Sequence, residues 1–166
     1  MQEYMQKGLA AVIIRPTAIY GPGDPERFYM LFKMVSRGNF LMFGKGMAFY
    51  HPVYIDNLVN AFELAMDKNE AVRETFIIAD ERYYPIKDII ERIAAVLNIR
   101  LKIQYFPFWP LWLSSCVCEA VCAPLRIPPP IFRRRADWFR QNRAFDISKA
   151  KSMLGYQPRI GLDEVL

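Results

Sequence analysis

The order of apolar and polar positions along the chain predicts strands and helices in alternation. Leu9-Ala-Ala-Val-Ile-Ile14 is an unbroken apolar run entered through Gly8 and stopped at Arg15-Pro16, the pattern of a strand covered on both faces in a parallel sheet. A turn-rich loop follows, Tyr20-Gly-Pro-Gly-Asp-Pro25. From Glu26 to Ser36 apolar residues return at helical spacing (Phe28, Leu31, Phe32, Val35), and Arg37-Gly38 closes that helix. Short strands are predicted over Phe40 to Phe43 and Phe49 to Ile55, around the turn Gly44-Lys-Gly46. Asp56 is placed to cap a helix from Asn57 to Met66, whose Leu58, Val59, Phe62 and Ala65 make one apolar face. Thr75 to Ala79 is a strand, Pro85 opens an amphipathic helix over Ile86 to Leu97, and Leu101 to Phe106 alternates as a further strand.

Phe106 to Leu125 is the most hydrophobic stretch, interrupted by Pro107, Pro110 and Glu119, and its composition shifts abruptly at Arg126. Ile127-Pro-Pro-Pro130 breaks any helix, Arg133-Arg-Arg135 begins a basic turn, and Phe145-Asp-Ile-Ser148 leads into a short helix ending at Gly155. Met1 to Gly8 reads as the last turns of a helix, and Gly161 to Leu166 as the start of another. Both ends are expected to be cut from a longer fold.

The 166 residues, 53% hydrophobic and 23% charged, are enough for one globular core and exclude a disordered tail. A net charge of +5 invites a nucleic-acid partner. The basic residues mostly alternate with acids, however, and no aromatic-basic recognition motif accompanies them, so no nucleic acid is expected. The three cysteines, Cys116, Cys118 and Cys122, are too close together for a disulfide framework and lack a nearby fourth ligand, since the only histidine is His51. Buried thiols in a reducing cytoplasm are expected, with no metal. No secretory signal precedes the first strand.

The run Ile14-Arg-Pro-Thr-Ala-Ile-Tyr-Gly-Pro-Gly-Asp24 resembles the RPxxxYGPGD segment of the extended short-chain dehydrogenase/reductase superfamily, which includes nucleotide-sugar epimerases and dehydratases and 3β-hydroxysteroid dehydrogenases. Three further segments match in the same order: His51-Pro-Val-Tyr-Ile-Asp-Asn57, the strand and helix from Phe76 to Asn98, and Phe145 to Pro158. The resemblance implies an α/β fold, the last parallel strands of an NAD(P)-binding Rossmann fold followed by a small α/β substrate-binding domain, with the N-terminal Rossmann half absent. Residues 1–24 would end the Rossmann domain. Residues 25–166 would form the substrate-binding region, with segments returning to the Rossmann sheet and a hydrophobic insertion at 106–131.

The same resemblance implies roles for single residues. Pro16 would lie against the nicotinamide of NAD or NADP, its flat ring suited to that contact, and Thr17 would offer its hydroxyl or backbone N–H to the cofactor. Tyr20 through Asp24 would turn the chain into the substrate domain. The Gly-rich phosphate loop and the catalytic Tyr-xxx-Lys belong to the absent half, so no catalytic residue is expected in this chain. Tyr29-xxx-Lys33 and Tyr83-xxx-Lys87 fall after the nicotinamide segment and are chance matches.

Two departures bear on the substrate. Where nucleotide-sugar enzymes carry a substrate-holding asparagine this chain has Ala18, and where the epimerases carry a diphosphate-binding arginine it has Phe49. Arg143 does match a second diphosphate-binding arginine. Losing a charge-assisted contact to a buried phosphate costs about 2–5 kcal/mol, which a methyl group and a phenyl ring cannot restore. A small-molecule substrate that is apolar, steroid- or isoprenoid-like, and bears a secondary alcohol is therefore expected, in a fragment inactive alone. The alternatives are a nucleotide-sugar epimerase or dehydratase, and a non-catalytic interaction or membrane-associated remnant.

Phe106 to Arg133 is similar to the hydrophobic insertion of the hydroxysteroid and sterol dehydrogenase branch. It is expected either to pack on its own protein or a homodimer partner, or to contact a membrane surface through 106–135, with Arg126 and Arg133 to Arg135 meeting anionic lipid. The corresponding location is cytoplasmic, with membrane association. Asp56 is read as a cap, and His51 as a packed surface residue outside the catalytic set.

Overall fold

The computed structural model describes residues 2–24 and 28–166. In chain order the elements are α1 (Gln2–Gln6), β1 (Ile13–Pro16), β2 (Ala18–Tyr20), α2 (Phe28–Val35), β3 (Asn39–Phe43), β4 (Phe49–Tyr50), β5 (Pro52–Tyr54), α3 (Ile55–Asp67), β6 (Thr75–Ile78), β7 (Tyr84–Pro85), α4 (Ile86–Val96), β8 (Lys102–Phe106), α5 (Phe108–Leu125), α6 (Arg133–Ala136) and α7 (Leu162–Val165). A π-helical turn at Ala150–Leu154 ends at Gly155, in the left-handed conformation at φ +67°. The expected start of α2 at Glu26, and Pro25 of the preceding loop, lie outside the described residues.

The chain forms two compact units: Met1–Phe28, His51–Tyr83 and Ala144–Leu166 make the first, Tyr29–Tyr50 and Tyr84–Arg143 the second. In the first unit β1 pairs with β6 and β2 with β5, both in parallel. Parallel partners cannot be joined by a tight turn, so a long connection containing helix separates each pair. The core gathers Val53, Leu58, Ala61, Ala65, Phe76, Ile78, Leu154 and Tyr156.

Three expectations are corrected here. The apolar run at Leu9 becomes a strand only from Ile13, with β6 as its one strand neighbour among the described residues, and neither face is fully covered: Ile13 and Ile14, which point to opposite faces, are half-buried, and Pro16 is exposed. Asp56 does not cap α3; the helix starts two residues earlier than expected, at Ile55, Tyr54 is the capping position, and Asp56 is exposed in the first turn. The buried face of α3 is Asn57, Leu58, Ala61 and Ala65, whereas Val59 and Phe62 point outward. Bulky Phe76 and Tyr156 share this core with the small Ala61 and Ala65.

In the second unit β3 pairs with β8 in parallel and β4 with β7 antiparallel. Helix α4 turns Ile86, Ile89, Ile90, Ile93 and Ala94 inward, the helical spacing read in the sequence. With Val35, Phe40 and Met42 these residues form that unit's core. The turn after β3 requires Gly46, at φ +69°, because a Cβ there would meet Met42 Cε at 3.0 Å and Lys87 Cβ at 3.2 Å. Helix α5 is long and apolar enough to cross a membrane by length and composition alone, and most of it is exposed. Its Cys116, Cys118 and Cys122 are free and half-buried rather than buried, because the helix packs along one narrow side only.

Candidate functional site

Parallel strands of the first unit deliver their carboxyl ends together, the edge at which open α/β sheets bind ligands. Pro16 ends β1 opposite Ile78, and Ala18 begins β2 opposite Pro52. Pro16 is exposed, and Thr17 and Ala18 are half-buried. The Thr17 backbone N–H donates to the Ile78 carbonyl at 3.0 Å, so it is already spent on the sheet. The Thr17 hydroxyl is different: its Oγ1 is shielded from solvent and has no hydrogen-bond partner among the described residues. An orphaned buried hydroxyl costs about 1–3 kcal/mol unless something pairs with it. It is a polar contact held in reserve at the strand edge, beside the exposed proline ring, and it fits a nicotinamide cofactor.

Just beyond this edge lies a buried polar network that the sequence reading did not assemble. Asp80, 1% exposed, follows β6. Its Oδ1 accepts from the Tyr54 N–H at 2.9 Å and from Asn57 Nδ2 at 2.8 Å, satisfying an orphan donor at the start of α3 in the way a capping side chain would. Oδ2 has no well-formed hydrogen bond among the described residues, although the Tyr20 hydroxyl is near enough to favour the charged form. Burial pushes the Asp80 carboxyl above the ordinary range, against the lowering by Tyr54, Asn57, Tyr20 and His51.

His51 is buried at 3% exposure, not a surface residue. Its Nδ1 accepts from the Phe145 N–H at 3.2 Å, so Nε2 carries the proton and donates to the Asp80 carbonyl at 2.8 Å. With both ring nitrogens committed to backbone, His51 ties the 145 segment to the end of β6 and is not a proton-transfer group. Asn57 does the same for the C-terminal segment, donating to the Ile160 carbonyl at 2.6 Å and accepting from the N–H groups of Arg159 and Ile160. Tyr156, fully buried, donates to the Ala79 carbonyl at 3.0 Å. Burial, then the charges of Asp80 and Glu81, raise its phenol, which therefore stays protonated and serves as a donor, not a base. Nothing periodic in the sequence signals this hub; the one available clue was a lone aspartate after an apolar strand.

Phe49 and Arg143 belong to the second unit, and the fold brings them together. The Arg143 N–H donates to the Phe49 carbonyl at 2.8 Å, and Phe49 N donates to Asn142 Oδ1 at 3.1 Å. Both side chains are half-buried, and the Arg143 guanidinium makes no ion pair with a described residue. Their chain neighbours Ala48 and Asn142 line an open cleft of about 340 Å³ whose walls include Phe43, Met47, Phe108 and Phe139. Arg140 stacks over the Phe108 ring at 5.2 Å. The cleft is an aromatic surface with cations at its rim.

The family model described as 3-beta hydroxysteroid dehydrogenase/isomerase family matches residues 2–95. An uncharacterized protein, y4nL, of Sinorhizobium fredii is 32% identical over 92% of this chain and 44% of its own length. The sterol-4-alpha-carboxylate 3-dehydrogenase, decarboxylating, of Mus musculus is 25% identical over 97% of this chain and 47% of its own length. Among solved structures, the UDP-glucose 4-epimerase of Thermotoga maritima with UDP-glucose superposes with a TM-score of 0.67 at 22% identity, over 99% of this chain and 47% of that one. The likeness of fold is to Rossmann-type epimerases and dehydratases. The chain spans about half the length of the curated relatives it matches.

Proposed function

The chain belongs to the 3-beta hydroxysteroid dehydrogenase/isomerase family, and from that premise we propose that it supplies the nicotinamide edge and substrate wall of an NAD- or NADP-dependent oxidoreductase acting on a secondary alcohol of an apolar, steroid- or isoprenoid-like molecule. The observation that carries the reading is the orphaned Thr17 hydroxyl beside the exposed ring of Pro16. When bound, the cofactor supplies hydride transfer. Thr17 would hold it through Oγ1, and Pro16 would present a flat apolar face without an N–H to leave unpaired. Ala18 and Phe49 favour an apolar substrate, since neither provides a polar contact. The sterol carboxylate named for the mouse relative is a substrate of this chemical kind.

The test is a turnover panel on a protein that joins this chain to the half bearing the Gly-rich loop and the Tyr-xxx-Lys pair, with NAD and NADP, comparing steroid and isoprenoid alcohols with UDP- and dTDP-sugars. Oxidation of the apolar alcohols supports the reading; turnover of the sugars alone overturns it. A second reading, a nucleotide-sugar epimerase or dehydratase, rests on Arg143, whose guanidinium has no acidic partner among the described residues. Under that reading Arg143→Gln raises KM for the nucleotide sugar with little change in kcat. The free cysteines fit a reducing, cytoplasmic compartment. Besides the small molecule, the proposed partner is a membrane surface met through 106–135, with a homodimer as the competing occupant of that region.

A further inference from the structure

Independently of that reading, we propose that Cys118 and Cys122 form a two-sulfur site for a soft, two-coordinate cation, Cu(I). The helix sets the pair. Residues four apart stand one turn above the other on the same face, and α5 brings the two sulfurs to 4.0 Å. Both side chains are half-buried, so a small ion can reach them from solvent. Cys116, two residues before Cys118, faces the other way round the helix and lies outside the pair.

The spacing is held from both ends. Next to Cys118 in the chain, the Glu119 carboxylate accepts from the Arg133 N–H at 2.8 Å and from Arg133 Nε at 2.6 Å, which pins the returning segment to this turn of the helix. Beyond Cys122, Arg126 takes the left-handed conformation at φ +54° and donates its N–H to the Ala123 carbonyl at 3.2 Å, while the Ile127 N–H donates to the Cys122 carbonyl at 3.2 Å. A helix end closed in this way resists fraying, so the two sulfurs are positioned before any ion arrives.

Geometry selects a single bridging atom over a disulfide. Cβ atoms one turn apart on a helix are about 5–6 Å from each other. A disulfide needs about 3.5–4.5 Å, so oxidation would have to deform the turn that Arg133 pins. Two bonds as long as those zinc makes to thiolate, about 2.3 Å each, reach across the 4.0 Å gap with the helix as it stands. Burial, then the neighbouring Cys118, also holds the Cys122 thiol above its ordinary range, which slows oxidation because the thiolate is the reactive form.

The donor set selects the ion. Structural zinc takes four ligands, and among the described residues no three His, Cys, Asp or Glu side chains converge on one point. Glu119, the acid nearest the pair in sequence, is already spent on Arg133. A missing fourth ligand is no obstacle to an ion that takes two, and sulfur donors without nitrogen or oxygen favour Cu(I). On binding, the ion forms two copper–sulfur bonds and displaces both thiol protons to solvent; no electron is transferred.

The experiment is an anaerobic competition for Cu(I) between a chromogenic chelator and a protein that joins this chain to the half bearing the Gly-rich loop and the Tyr-xxx-Lys pair. Cys116→Ser, Cys118→Ser and Cys122→Ser are made in the same protein, so that thiols of the added half cancel in the comparison, and circular dichroism checks that each variant keeps its helices. The native protein and Cys116→Ser should withdraw one more Cu(I) from the chelator than Cys118→Ser or Cys122→Ser. Losing a direct ligand should weaken that ion's binding by more than about a hundredfold, since losing a group that only supports a ligand already costs ten- to a hundredfold. X-ray absorption at the copper edge should show two sulfur neighbours for the additional ion. Equal uptake by the native protein and the Cys118 and Cys122 variants, an equal loss in Cys116→Ser, or nitrogen and oxygen in the copper shell overturns the proposal. So does a Cys118–Cys122 disulfide formed by glutathione disulfide with the helical signal unchanged, which would make the pair a redox couple instead.

Discussion

Replacing Asn57 with leucine tests whether the buried network holds the C-terminal segment in place. The side chain is 4% exposed, so leucine of similar volume takes the same space. Four hydrogen bonds disappear: those to Asp80 Oδ1 at 2.8 Å and the Ile160 carbonyl at 2.6 Å, and those from the N–H groups of Arg159 at 3.0 Å and Ile160 at 3.3 Å. Arg159 is exposed and its N–H can regain water, and Asp80 Oδ1 keeps the Tyr54 N–H. Both Ile160 backbone groups and half of the Asp80 coordination remain unpaired. At about 1–3 kcal/mol per unsatisfied buried group, offset by about 1–2 kcal/mol of added apolar burial, the net loss is about 3 kcal/mol. Urea denaturation reads this loss, and hydrogen exchange should accelerate at Tyr156 to Leu166 before the rest of the first unit. A loss under about 1 kcal/mol with exchange unchanged there would refute the reasoning, since no unpaired group would then have been left buried.

Asp80→Asn keeps both Oδ1 contacts and removes the titration. Burial places the folded-state value of Asp80 above its unfolded one, so its contribution is full below the unfolded value and is lost as pH rises through the folded one. The stability of the native protein minus that of the variant should therefore fall as pH climbs out of the ordinary carboxylate range, in denaturation curves taken across pH; a flat or rising difference contradicts this. Gly21→Ala should destabilise by about 2 kcal/mol or more through overpacking, because the new Cβ would lie 2.6 Å from Ile55 Cγ2, a β-branched side chain with little freedom to move. A melting temperature unchanged by that substitution would show that the turn after β2 relaxes freely.

The elements were legible wherever one face repeats. Helix α4 shows its isoleucines at helical spacing and forms where expected, and Gly8, Gly38 and Gly155 mark helix ends, each with positive φ. The motif loop was legible from resemblance, and the fold delivers Pro16 and Thr17 to a strand edge. What stayed hidden depends on distance along the chain. The hydrogen bonds made by the side chains of His51, Asn57, Asp80 and Tyr156 span 23 to 103 residues of sequence, and no local pattern encodes such a meeting. A cap supplied from 26 residues away, by Asp80 to Tyr54, looks in the sequence like a cap from the nearest acid, which is why Asp56 was read in its place. Helical spacing also identified an apolar stripe on α3 without fixing which of its residues turn inward: Leu58, Ala61 and Ala65 are buried and Phe62 is exposed.

The proposed cofactor edge is tested most directly by titrating NADH into a protein that joins this chain to the half bearing the Gly-rich phosphate loop, and into its Thr17→Val variant, with nicotinamide fluorescence as the readout. Valine keeps the shape of threonine and removes only the hydroxyl, and a neutral hydrogen bond is worth about 1 kcal/mol, so Kd should rise about fivefold to tenfold, with Thr17→Ser close to the native value. Equal affinity for the native protein and the valine variant, or no saturable binding by either, would contradict the assignment of Thr17 to the nicotinamide.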